Sequence, residues 1–106
     1  MEKRAFERIP FNFSLKILNL QTSDTNLAET TDMSAMGLGI LSERKLFPQT
    51  ALDIWVKIPT QSEPFYVRGE VAWCQKFSFD KYKAGINFRK PQLLGVARAL
   101  RAAGKI

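Results

Sequence analysis

Leu52-Asp53-Ile54-Trp55-Val56-Lys57-Ile58 sets an aliphatic side chain at every second position, with Asp53, Trp55 and Lys57 between them. Successive side chains of an extended chain point to opposite faces, so this spacing describes a strand with one face in a core. Working outward, the same period recurs. Downstream, Phe65, Val67, Val71 and Trp73 alternate with Tyr66, Arg68 and Glu70, and Gly69 inside that run marks a bulge or a close backbone approach. Upstream, Phe11, Phe13, Leu15 and Ile17 alternate with Asn12, Ser14 and Lys16. Ala84, Ile86 and Phe88 form a shorter run, and Ala28 to Thr31 and Leu38 to Leu41 are weaker candidates. Polar Asn19 to Asn26 reads as a hairpin loop, Pro48-Gln49 and Pro59 to Pro64 as breaks, and Asp80-Lys81 as the last turn. Six short strands at this spacing predict an all-β antiparallel barrel or sandwich, and full closure would remove the sheet edges.

The period changes at the end of the chain. Pro91 suits a first helical turn, and Leu93, Val96, Ala97 and Leu100 recur at helical spacing, with Arg98, Arg101 and Lys105 on another stripe. The expected organisation is one domain over 1–106: an arm at 1–9, a barrel at 10–89 and an amphipathic helix at 91–103. A length of 106 residues is enough for one core without disulfide or metal staples.

Composition narrows the chemistry. The chain has no histidine and one cysteine, Cys74. Ser-His-Asp and Cys-His catalysis, histidine-ligated metals and cysteine-held clusters therefore have no ligands or bases here. No compact acidic cluster stands in for them. The expectation is a binding protein without metal or cofactor, not an enzyme. No apolar run reaches the length of a membrane span, and Met1-Glu2-Lys3-Arg4 leads into no signal-peptide core. With a free thiol as well, the expected location is the cytoplasm, without stable membrane insertion. The net charge of +6 is uneven: residues 89–106 carry Arg89, Lys90, Arg98, Arg101 and Lys105 and no acid, while the remainder is nearly balanced. Such a skew suits an anionic partner or simply a solvated face.

Two short patterns carry the remaining chemistry. The first is Arg4-Ala5-Phe6-Glu7-Arg8, just before the first strand. A guanidinium binds phosphate oxygens, reads the O6 and N7 edge of guanine, and stacks on flat rings. Ile9 precedes Pro10 and is biased towards extended backbone, so the segment reads as an arm. The second is Asp32-Met33-Ser34-Ala35-Met36-Gly37. A carboxylate can accept from both N1–H and N2–H₂ of guanine. A serine hydroxyl can donate to a phosphate or a base, and a glycine allows positive φ or close approach to a ligand. Each pattern taken alone also has a plain reading, as a solvated terminal arm and as an Asx or Ser turn.

The order R-x-x-x-R, first strand, D-x-S-x-x-G resembles the PilZ family, as do Val67-Arg68-Gly69-Glu70-Val71-Ala72-Trp73 and Tyr82-Lys83-Ala84-Gly85-Ile86-Asn87-Phe88. The resemblance runs from Arg4 to the C-terminal helix. It implies a six-stranded antiparallel β-barrel with a C-terminal α-helix that binds cyclic di-GMP. In that reading Arg4 and Arg8 grip phosphates and guanine edges, Asp32 and Ser34 fix a guanine and a phosphate, and Gly37 shapes the loop. Lys3, beside the first arginine, bears on whether one nucleotide or a stacked pair binds. Trp73 matches an aromatic that stacks near a guanine in some members, whereas its parity with Val67 and Val71 places it in the core. Arg68 and Arg89 are candidate phosphate neighbours or ordinary surface residues.

The resemblance implies a receptor that signals in trans to a downstream protein controlling motility, biofilm formation or a related output. Two other classes stay open. A ligand-independent adaptor would keep the motif as turn chemistry. A nucleic-acid-binding barrel would use Arg98, Arg101 and Lys105, but the Asp32 carboxylate opposes a generic phosphate backbone, so nucleic acid is the weaker reading.

Overall fold

A computed structural model describes residues 9–10, 12–59 and 61–104. The strands are β1 Ile9–Pro10, β2 Ser14–Asn19, β3 Thr25–Ser34, β4 Gly37–Ser42, β5 Ala51–Val56, β6 Phe65–Ser78 and β7 Lys81–Phe88, followed by helix α1 Leu93–Ala102. All pairings are antiparallel. β2-β3-β4 and β5-β6-β7 are two three-stranded meanders, joined by β2 to β5 on one side and β4 to β7 on the other. Those two joins close a six-stranded barrel.

β1 is an addition to the expected strands. Ile9 and Pro10 pair with Met33 and Asp32, beside the same strand that β2 pairs with lower down. Between them Phe13 donates its N–H to the Thr30 hydroxyl (2.7 Å) and accepts the Thr30 N–H (2.8 Å). A side-chain hydroxyl here takes an acceptor's place in the ladder.

The inward parity is the one the alternation foretells. Leu15, Ile17, Leu38, Ile40, Leu52, Ile54, Val56, Val67, Val71, Ala84 and Ile86 are all buried in one core. Burying each large aliphatic side chain contributes about 1.5–3 kcal/mol. The weak runs prove to be parts of longer strands: Ala28 to Thr31 lies within the ten residues of β3, and Leu38 to Leu41 within the six of β4. β6 continues past Trp73 to Ser78, and the last turn is Phe79-Asp80, one residue earlier than the sequence suggests.

α1 buries Val96, Ala99 and Leu100, whereas Leu93 stays exposed, so the buried stripe is set one residue round from the expected one. Gly95 is required there: a Cβ at that position would stand 2.2 Å from the Phe65 ring. Phe65 in turn meets Phe88 edge to face, with centroids 6.5 Å apart. Gly104, at φ +74°, ends the helix in the left-handed conformation that glycine adopts without strain. Among the described residues no helix is long and apolar enough to cross a membrane.

A glycine-floored shelf as the candidate functional site

The D-x-S-x-x-G segment forms the end of β3, a two-residue turn and the start of β4. Met33 points into the core. Ser34 pairs with Gly37 across the turn, and the Ser34 Oγ accepts the Met36 N–H at 3.2 Å. Gly37 is needed because a Cβ would lie 2.2 Å from the carbonyl oxygen of Ile86 on β7. Its role is close approach to a neighbouring strand; positive φ is not involved. The turn is held from the C-terminal side as well, where the Phe88 N–H donates to the Met36 carbonyl and the Gln92 N–H to the Ala35 carbonyl, each at 2.8 Å. Gln92 is the N-cap residue of α1, so the motif turn and the helix share a backbone hydrogen bond.

Asp32 begins a row of residues that crosses four strands. It pairs with Gly39 on β4, Gly39 pairs with Gly85 on β7, and Gly85 pairs with Trp73 on β6. Neighbouring strands lie about 4.8 Å apart, so the row spans roughly 14 Å. A carboxylate stands at one end and an indole at the other, and the two glycines between them are buried. The Asp32 Oδ1 accepts the Gly39 N–H at 3.1 Å. A Cβ on Gly39 would meet Asp32 Oδ1 at 2.9 Å and Thr31 Oγ1 at 2.6 Å, and a Cβ on Gly85 would meet Trp73 Nε1 at 2.3 Å. Both flanking side chains therefore lean over the glycine floor.

Each end of the shelf is made by a β-bulge. The register shifts between Thr30 and Asp32 and again between Val71 and Trp73, inserting Thr31 and Ala72. An extra residue reverses the parity of everything beyond it, and bulges re-aim side chains in this way beside functional sites. Thr30 and Met33 both stay inside while Asp32 faces out. Val71 stays inside while Trp73 is brought outside, 42% exposed, which corrects the core position that parity assigned to it. The Thr31 hydroxyl, buried next to Asp32, has no hydrogen-bond partner among the described residues.

Of the expected site residues, Asp32, Ser34, Gly37 and Trp73 fall on this one side of the barrel. Lys3, Arg4 and Arg8 lie outside the described residues, whose first member, Ile9, pairs with Met33 beside Asp32. Gly39 and Gly85 are the residues that sequence reasoning missed. A glycine within a strand pattern was the available signal for each.

Elsewhere, Asp53, Tyr66 and Arg68 form a polar cluster. Arg68 Nε and Nη2 donate to the two Asp53 oxygens at 2.7 and 3.0 Å, and the Tyr66 hydroxyl donates to Oδ1 at 2.6 Å. The Arg68 hydrogen bonds hold the Asp53 carboxyl below its ordinary range against the opposing effect of burial, with Tyr66 assisting. The bond to Asp53 in turn pushes the Tyr66 phenol up. Arg68 is thereby committed to a structural ion pair. No group of three or more His, Cys, Asp or Glu among the described residues is arranged to hold a metal.

The profile of the PilZ domain family matches residues 2–102. The chain belongs to the PilZ family. Solved PilZ structures share its architecture. The PilZ domain of Escherichia coli YcgR, solved with c-di-GMP, superposes with a TM-score of 0.76 at 15% identity, covering 98% of this chain and 93% of that one. The PilZ domain of CeSA from a cellulose-synthesizing bacterium gives 0.62 at 16% identity, with 92% and 95% covered. Bacillus subtilis MotI/DgrA, an inhibitor of motility, gives 0.69 at 11% identity over 95% of this chain. This PilZ chain spans about half of the MotI/DgrA chain, 53%. At these identities the likenesses establish the fold. Among curated proteins, none matches.

Proposed function

We propose that this PilZ chain is a receptor for cyclic di-GMP, with the shelf as the floor of its site. The observation that carries the reading is the row Asp32–Gly39–Gly85–Trp73. A guanine stacked on the exposed part of the Trp73 indole would turn its N1–H and N2–H₂ edge towards Asp32. A carboxylate can accept about four hydrogen bonds, so holding the Gly39 N–H is compatible with reading a base. Arg4 and Arg8 are the residues assigned to the phosphates, and the strand that follows them, Ile9–Pro10, pairs with Met33 and Asp32. Ser34, buried with its Oγ on the Met36 N–H, and Gly37 hold the turn that sets Asp32.

The YcgR domain solved with c-di-GMP and the Klebsiella pneumoniae MrkH–c-di-GMP complex, which this chain matches in fold, support the reading by analogy. The signal would pass through the motif turn to α1 by way of the Gln92–Ala35 hydrogen bond, and from there to a downstream protein in trans, with motility or biofilm formation as the output. The competing adaptor reading has its own support, because Asp32 and Ser34 both satisfy backbone N–H groups without any ligand.

Calorimetric titration of cyclic di-GMP into wild type and an Arg8→Ala/Asp32→Ala variant, with GMP, cyclic GMP and single-stranded DNA as controls, separates the readings. Selective binding lost in the variant is the expected result. A folded wild type that binds no nucleotide leaves the adaptor, and binding of DNA alone leaves a nucleic-acid barrel.

A further inference from the structure

The β6–β7 hairpin runs on beyond the barrel core and ends in surface that the fold does not use. Residues 75–80 are all exposed. The two-residue turn between Ser78 and Lys81 holds Phe79-Asp80, and Phe79 is 94% exposed where Asn, Asp or Gly is the usual choice. A third register shift, between Lys76 and Ser78, sets Phe77 out of the ladder, 61% exposed. The segment after β4 lies alongside, since Ser42 pairs with Tyr82 and Lys81 meets Glu43 at 3.7 Å. That segment carries Arg44, Lys45 and an exposed Phe47, with the Lys45 ammonium 5.3 Å from the Phe47 ring centroid. Lys76, Lys81 and Lys83 line the hairpin itself, and only Glu43 and Asp80 oppose these cations within the two segments.

Aromatic rings at a protruding tip with a collar of cations have a specific physical complement. Rings partition into the headgroup–acyl boundary of a bilayer, and each lysine or arginine near an anionic surface adds electrostatic attraction. Phe79 sits in the turn itself and Phe77 outside the ladder, so both rings project from the end of the hairpin with cations on either side. A fluid phase accepts exposed rings without needing a matching pocket, which a folded protein partner would have to supply. We propose that the β6–β7 tip, through Phe77 and Phe79 and the flanking Lys76, Lys81 and Lys83, is a peripheral anchor for anionic phospholipid surfaces. It rests on the surface of the bilayer and does not cross it, and it needs no nucleotide.

Co-sedimentation with vesicles of phosphatidylcholine, with and without phosphatidylglycerol, and without cyclic di-GMP, tests it on the full chain. Binding should require phosphatidylglycerol and weaken as salt is raised. Phe77→Ser/Phe79→Ser should lower affinity by roughly tenfold or more, given the apolar area withdrawn. Both residues are exposed, so the variant should keep the wild-type circular dichroism. Phe79→Trp should retain binding and shift its emission to the blue on vesicle addition. Asp32→Ala should bind vesicles as wild type does, which keeps this result independent of the nucleotide reading. Absence of binding to phosphatidylglycerol vesicles overturns the proposal, as does equal binding by wild type and the double serine variant. Crosslinking to a protein that is lost in the serine variant, with vesicles left unbound, overturns it in favour of a protein partner.

Discussion

Two rows of residues leave β3, go round the barrel in opposite directions and meet again on β6. One is Leu27–Lys16–Trp55–Tyr66, through β2 and β5; the other is Asp32–Gly39–Gly85–Trp73, through β4 and β7. The first has a large side chain at every position. Lys16 lies 5.2 Å from the Trp55 ring centroid, and Trp55 and Tyr66 stand 5.4 Å apart, an unbroken cross-strand ladder of the kind that stabilises sheets. The second replaces its two middle side chains with hydrogen atoms and turns its ends outward through bulges. The same barrel thus has one face where large side chains meet one another and one where an acid and an indole fold down over two buried glycines. A groove of about 470 Å³ lies on the ladder side, beside Lys16, Leu27 and Trp55. Its lining carries no carboxylate.

The largest expected break in this contrast is Arg8→Ala/Asp32→Ala. Charge-assisted hydrogen bonds contribute about 1.5–3 kcal/mol each, so calorimetry should show affinity for cyclic di-GMP falling by at least about a hundredfold. Next is Gly85→Ala, which makes the shelf resemble the ladder by adding one methyl group. The Trp73 indole must move to admit it, so binding should weaken by roughly ten- to a hundredfold, with Trp73 emission altered in the free protein. Trp73→Ala removes a stacking surface worth about 1–3 kcal/mol per base. Trp55→Ala on the ladder is its control: nucleotide affinity should stay within about twofold while the urea midpoint falls. Equal losses of affinity from Trp73→Ala and Trp55→Ala would erase the distinction between the two halves.

The smallest effect concerns acid stability on the ladder side. The Asp53 carboxyl is held low in the folded state, so its contribution is present above about pH 4, the unfolded range. It is lost as pH falls through the lower folded value. Urea midpoints of wild type and Asp53→Asn should differ at neutral pH and converge on acidification. A gap that does not change with pH would mean that the charge on Asp53 contributes nothing.

The contrast also explains what the sequence could reveal. Strands such as Leu52 to Ile58 were legible because period-two burial has one physical cause, and Asp32 was singled out because its residue type and spacing suit the chemistry proposed above. Trp73 was misplaced because parity counts residues, and the bulge at Ala72 adds one that no alternation announces. Gly39 and Gly85 were visible as glycines in strands, but that they are neighbours across β4 and β7 is set by barrel closure. Phe79 was hidden because the turn was read one residue late, at Asp80-Lys81.

That closure also has a kinetic consequence. Asp32 and Gly39 belong to the first meander, Gly85 and Trp73 to the second, and the β4–β7 seam between them joins residues far apart in the chain. Non-local seams of this kind form only after loop-closure entropy has been overcome, so they are late in folding and natural places for a barrel to breathe. A nucleotide seated across the row would act as a clasp on that seam. Amide protons along Gly37 to Ser42 would then report occupancy by exchanging more slowly with solvent, at Leu41 and Ser42 as well as at Gly39 within the row.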